Sequence, residues 1–128
     1  MAKVALYFAF TCVSIALFPA FQAATTKNPP LCARCLPRTL TLTPADGTPG
    51  SITPVIKMLP NIPQGCRQMN VVCTTPAGYT VSNMVFNGSG APKVGKNVTA
   101  LVSCFKGSWR TSYMGSYIYL NSVKCYAS

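Results

Sequence analysis

Two short spacings in this chain match known chemistry: the C-x-x-C pair Cys32-Ala33-Arg34-Cys35 and the S-x-x-K pair Ser103-Cys104-Phe105-Lys106. The first serves thiol–disulfide exchange when its leading cysteine begins a helix after a strand, where the helix dipole lowers the thiol pKa. Here it follows Asn28-Pro29-Pro30-Leu31, with no alternation of strands and helices around it. The expectation is therefore structural cystines in separate bridges. Zinc is no better served, because there is one C-x-x-C and no histidine to complete a ligand set. The S-x-x-K pair is a nucleophile motif when its two residues meet on one side of a helical turn. On a strand, a spacing of three sends them to opposite faces, and the companion S-D-N and K-T-G motifs are missing.

The rest of the composition narrows the chemistry further. The 128 residues include 11 Lys and Arg, one acid (Asp46) and no His. Paired-carboxylate catalysis and imidazole-based catalysis are excluded, as are carboxylate-cage calcium sites. The composition implies no catalytic residue, no cofactor and no resident metal, and the function expected is non-enzymatic.

Two sequons, Asn87-Gly88-Ser89 and Asn97-Val98-Thr99, mark Asn87 and Asn97 as candidate glycosylation sites in a secreted chain. Secretion is itself an expectation of the N-terminus. Lys3 precedes an apolar run, Val4–Phe18, broken by Thr11 and Ser14 and ended by Pro19. This is the pattern of a signal peptide, and the run is shorter than the ~20 residues of a spanning helix. The cut is placed within Ala23–Thr25, making residues 1–24 the signal and 25–128 the mature domain. Removal takes Cys12 and Lys3 with it. Six cysteines then remain (Cys32, Cys35, Cys66, Cys73, Cys104 and Cys125), and a secreted chain can pair all six. No transmembrane segment is expected in the mature chain.

The elements that must hold these residues read as β-structure. Prolines and glycines punctuate the mature chain too densely for long helices. Met69, Val71 and Cys73 share one parity, as do Val98, Ala100, Val102 and Cys104, and as do Leu36, Leu40 and Leu42. Period-two alternation with one apolar face describes half-buried strands. Tyr79–Phe86 and Tyr117–Tyr126 are β-rich but apolar on both parities. For the latter, a bulge near Asn121-Ser122 and burial on both faces remain open. Residues 44–63 carry five prolines and read as an irregular connection with one edge strand over Ile52–Leu59. The fold expected is all-β: a small disulfide-stabilised β-sandwich of about six or seven strands, immunoglobulin-like in general architecture. Trp109 is expected as a core plug against a disulfide; the alternative is a surface recognition aromatic with Arg110 beside it.

The framework Cys32-x-x-Cys35, Gly65-Cys66, Val71-Val72-Cys73, Leu101-Val102-Ser103-Cys104, Trp109 and Val123-Lys124-Cys125 resembles the nematode six-cysteine extracellular domain family, or its close relative of unknown function. The likeness spans about Leu31 to Tyr126. It implies an extracellular domain with no established biochemical activity, and it implies a Cys32–Cys66 bridge. With that bridge in place, Cys35–Cys73 is the nearest second pairing and leaves Cys104–Cys125. A rival map joins Cys73 to Cys104 and Cys35 to Cys125, in the manner of an immunoglobulin domain.

These expectations add up to a secreted binding or structural module whose partner is an extracellular protein or an acidic glycan. No nucleic-acid motif is present. The alternative is a cationic defence or surface-binding protein acting on anionic membranes or glycans, since the +10 of the whole sequence, about +9 once Lys3 is removed, attracts anions without specificity. The cations are spread along the chain rather than run together.

Overall fold

The computed structural model describes residues 29–128. The signal-peptide reading, its cleavage site and Cys12 lie outside the described residues. Two short 3-10 turns, Leu31–Ala33 and Pro37–Thr39, precede ten strands: β1 Thr41–Leu42, β2 Ser51–Ile52, β3 Val55–Met58, β4 Gln68–Val72, β5 Ser82–Phe86, β6 Lys93–Gly95, β7 Thr99–Phe105, β8 Ser108–Tyr113, β9 Ser116–Tyr119 and β10 Ser122–Ala127. They form two five-stranded sheets. Sheet I runs β1-β10-β5-β6, with β2 also on β10, and sheet II runs β3-β4-β7-β8-β9. The all-β sandwich is as expected, but it has more strands than the six or seven read from sequence.

Two of the additional strands, β6 and β8, fall outside the runs read from sequence, and two more come from places where the chain changes sheet. The run read as one edge strand, Ile52–Leu59, is split at Thr53-Pro54. Ser51–Ile52 pairs with β10 in sheet I, whereas Val55–Met58 pairs with β4 in sheet II. Pro54 has no N–H to give a ladder, so it suits the break between them. The run Tyr117–Tyr126 is split at Leu120-Asn121 in the same way. Ile118 and Leu120 turn inward from the even parity, and Val123 and Cys125 from the odd one. The apparent two-faced burial is thus a crossing from sheet II to sheet I. Tyr79–Phe86 has the other cause: β5 is an interior strand between β10 and β6, and Ser82, Asn83, Met84 and Phe86 are all buried.

Met69, Val71, Cys73, Ala100, Val102 and Val123 are fully buried and, with Met84, Phe86 and Trp109, form the core between the sheets. The buried Ser82 hydroxyl joins loop to strand inside this core. Its single proton lies between the carbonyls of Cys73 (2.7 Å) and Gly95 (3.1 Å), and its oxygen accepts from the Val98 N–H (3.0 Å). Buried polar groups cost stability unless so partnered. The Leu36–Thr43 alternation yields only the two-residue β1. Pro37 starts a 3-10 turn instead, and the Thr39 hydroxyl closes it by donating to the Leu36 carbonyl (2.7 Å). Leu40 is buried as its parity requires, whereas Leu36 is exposed.

The bridges are Cys32–Cys66, Cys35–Cys104 and Cys73–Cys125, with Cα separations of 4.7, 5.8 and 5.8 Å. The first is the pairing that the family resemblance implies. The expected Cys35–Cys73 and Cys104–Cys125 are both corrected, and so is the rival map. The register gives the reason. In the antiparallel β4–β7 pair the Cys104 N–H donates to the Arg67 carbonyl, and the Cys73 N–H to the Val98 carbonyl. Cys104 and Cys73 therefore sit at opposite ends of the ladder, about 20 Å apart at ~3.3 Å per residue. The segment holding Cys35 is fixed at the Cys104 end, where the Arg67 N–H donates to Cys32 O (2.8 Å) and Arg67 Nη1 to Cys35 O (2.9 Å). Cys73 is left facing β10 across the core, and it bridges there to Cys125.

Candidate functional site

Inward parities of sheet II make the core, so its outward parities make an exposed face: Leu101, Ser103 and Phe105 on β7, Arg110 on β8, Tyr117 and Tyr119 on β9. Ser103 is paired with Arg110 and Arg110 with Tyr119 in a single row across three strands. Phe105 and Tyr117 lie diagonally on either side of that row. Diagonal cross-strand neighbours are within reach of long and aromatic side chains. The Arg110 guanidinium accordingly lies between two rings, 3.8 Å from the Phe105 centroid and 4.0 Å from that of Tyr117. Stacking of this kind is favourable electrostatically and fixes the plane of the fork. Arg110 Nε is buried without a hydrogen-bond partner among the described residues.

The hairpin that builds this row is tight. Phe105 pairs with Ser108, leaving the two-residue turn Lys106-Gly107, with φ of 51° and 84°. Two successive left-handed residues match the twist of the flanking strands; Gly107 adopts this at no steric cost, and Lys106 does so under constraint. The turn swings Lys106 back onto the groove that Ser103 also lines. The strand-parity expectation that these two residues face apart is therefore corrected. Lys106 is directed to the Phe105 ring, 5.3 Å from its centroid, and no hydrogen bond joins it to Ser103 among the described residues.

This groove has a volume of about 460 Å³ and runs from the Cys32–Cys66 bridge and Ile62 to Arg67, Lys106 and Arg110. A second hollow of about 210 Å³, lined by Arg110, Tyr117, Ile118 and Tyr119, lies on the far side of Arg110. Arg110 is the wall common to both. Cations remote in sequence thus meet in one recess, and no acid lines it. The only carboxylate side chain, Asp46, is used in a turn elsewhere. It accepts from the Thr48 hydroxyl (2.6 Å) and the Thr48 N–H (3.0 Å), which lower its pKa to about 2.

The other candidate residues are placed as follows. Cys32 and Cys35 belong to separate bridges. Trp109 is buried opposite Cys104 on β7 and donates Nε1–H to the Leu36 carbonyl (2.9 Å), which is the core-plug position. Asn87 is exposed but engaged at both ends. Its Nδ2 donates to Tyr119 O (2.8 Å), and its Oδ1 accepts from the N–H groups of Asn121 (2.7 Å) and Ser122 (3.3 Å). Asn97 accepts through Oδ1 from the Thr75 N–H (2.8 Å), and its Nδ2 makes no bond among the described residues. No three His, Cys, Asp or Glu side chains gather as metal ligands among the described residues.

Sequence reasoning placed Arg110 only beside Trp109, in the alternative that the structure does not bear out, and missed its grouping with Phe105 and Tyr117 because it counted cations along the chain. The signal was available in Phe105-Lys106-Gly107-Ser108-Trp109-Arg110. A two-residue turn at Lys106-Gly107 places Phe105 and Arg110 on the same face, opposite Trp109.

Compared with protein-family models, with curated proteins and with solved structures, the chain gives no match. No helix among the described residues is long and apolar enough to cross a membrane.

Proposed function

We propose that this is a secreted, non-enzymatic binding module of the extracellular space, and that the outward face of sheet II is its recognition surface. The observation that carries this reading is the Arg110 groove: a concave, acid-free recess with aromatic walls, held by two disulfides and a tight hairpin. Binding sites favour such pre-formed concavities with a few fixed polar groups. Three bridges in so small a domain support an oxidising compartment. The same resemblance to six-cysteine extracellular domains supports it from the sequence.

Two outcomes test the reading. Expressed in secreting eukaryotic cells, the full chain should appear in the medium with an N-terminus within residues 24–26 and a glycan on Asn97. Asn97 Nδ2 makes no hydrogen bond among the described residues, whereas a sugar on Asn87 must fit beside Tyr119 O, to which Nδ2 already donates. Deglycosylation should therefore lower the intact mass of wild type and of Asn87→Gln, but not of Asn97→Gln. An unprocessed N-terminus in the medium would remove secretion from the proposal.

The second outcome concerns the surface. The mature protein should be retained on extracellular matrix at physiological salt. Leu101→Glu, at the centre of the outward face of sheet II, should abolish retention. Val94→Glu, on β6 of sheet I and equally exposed, should leave it intact. The two substitutions change net charge equally, so equal effects would show that bulk charge, not this face, does the binding.

A further inference from the structure

The groove has features that select among anionic partners. Both faces of the Arg110 guanidinium are covered, by Phe105 and Tyr117. With Nε buried as well, the Nη1–Nη2 end is the part left to engage a ligand, and it presents paired N–H donors suited to two oxygens of one anion. Arg67 and Lys106 line the same recess, so a second anionic group has a counter-charge within the groove. On the other side of Arg110, Tyr117 and Tyr119 are 64% and 55% exposed. These rings offer flat apolar surface beside a cation, the arrangement on which the C–H face of a sugar ring packs.

We propose that this groove binds a sulfated saccharide chain, with a sulfate gripped by the edge of Arg110 and an adjoining sugar ring lying on Tyr119. The inference rests on the extracellular binding reading and names its ligand class. The main recess falls within the range of small-ligand pockets, roughly 300–1,000 Å³, and the second hollow continues it past Arg110 for a ligand longer than one ring. A bilayer fits less well. Membrane-surface binding takes an apolar face that enters the headgroup layer, with cations flanking it, and here the cations line a recess. An apolar protein partner would cover Arg110 and Lys106 without offering them acceptors, which costs binding energy; Arg67 already has one in the Cys35 carbonyl.

The test is titration of the oxidised mature protein with a size-defined heparin-derived oligosaccharide at physiological salt. Arg110→Ala should weaken binding about tenfold or more, the range for losing hydrogen bonds to a charged group. Arg110→Lys keeps the charge but loses the fork and the stack, and it should weaken binding nearly as much. Tyr119→Ala should weaken binding by several-fold, and Lys93→Ala on β6 by less than about twofold, because exposed charges at a distance are screened. Far-ultraviolet circular dichroism and the disulfide map of each variant establish that it has folded.

Wild-type affinity in Arg110→Lys, or an equal loss in Lys93→Ala, would reduce the effect to net charge and overturn the proposal. Undiminished binding of the desulfated oligosaccharide would overturn it as well. So would displacement of the oligosaccharide by phosphatidylserine vesicles or by a single-stranded oligonucleotide with the same Arg110 dependence, since the site would then belong to that ligand. Failure of all saccharide binding, with matrix retention still lost in Leu101→Glu, would overturn the ligand class and leave the recognition surface standing.

Discussion

Trp109→Ala will destabilise the domain by about 3–5 kcal/mol, the range for truncating a buried Trp or Phe. Trp109 is 3% exposed, pairs across the ladder with Cys104 and bonds the Leu36 carbonyl. Its removal opens a cavity between sheet II and the Cys35–Leu40 segment, and the Cys35–Cys104 bridge prevents that segment from collapsing inward freely. Trp109→Phe keeps most of the volume and loses the Nε1–H bond, so its cost should be nearer 1–2 kcal/mol. Urea denaturation under non-reducing conditions measures both, read as a fall in midpoint at constant m. In thermal unfolding the alanine variant should melt on the order of 20 °C lower. A loss below about 1 kcal/mol for alanine would contradict a core position for Trp109.

The double variant Cys73→Ala/Cys125→Ala will lose at least as much. The bridge spans a sequence separation of 52, and closing a loop of that length constrains the unfolded chain by about 4 kcal/mol in the chain-entropy model. Both cysteines are essentially inaccessible, at 0% and 1% exposure, so trimming two sulfurs from the core adds roughly 1–2 kcal/mol. Small domains are stable by only about 5–15 kcal/mol, and the variant should be largely unfolded in mild denaturant. Cys32→Ala/Cys66→Ala is the comparison. Its bridge spans 34 residues and lies at the wall of the groove rather than in the core, so it should retain a cooperative transition at a higher midpoint. Equal midpoints for the two pairs would show that core burial of Cys73 and Cys125 adds nothing.

What the sequence made legible was local. The parity of Met69-x-Val71-x-Cys73 and of Val98-x-Ala100-x-Val102-x-Cys104 identifies buried faces because side-chain direction in a strand depends only on parity. Trp109 was legible as core for the same kind of reason. What failed depended on register between distant segments. Cys35 and Cys73 look like neighbours once Cys32 is tied to Cys66, yet the β4–β7 ladder carries Cys73 to the far end. Parity also carries no mark of a strand that leaves its sheet, and so Pro54 and Asn121 hid two crossings and lowered the strand count. The Arg110 groove was hidden in a third way. Its parts come from β7, β8, β9 and the Cys66–Gln68 approach to β4, and only the two-residue turn at Lys106-Gly107 could have joined any of them on paper.

The place of β10 in sheet I bears on the order in which this chain can be completed. During synthesis or passage through a translocation pore, residues emerge from the N-terminal side, and every strand of sheet II is out once Tyr119 has emerged. Sheet I is different: β1, β2 and β5 all take their partner from Ser122–Ala127, the last strand to arrive. Until then β5 has only the short β6 beside it, its apolar side chains lack half their cover, and the Cys73 thiol has no Cys125 to meet. Sheet I therefore cannot be completed, nor Cys73 joined to Cys125, before Ser122–Ala127 has emerged.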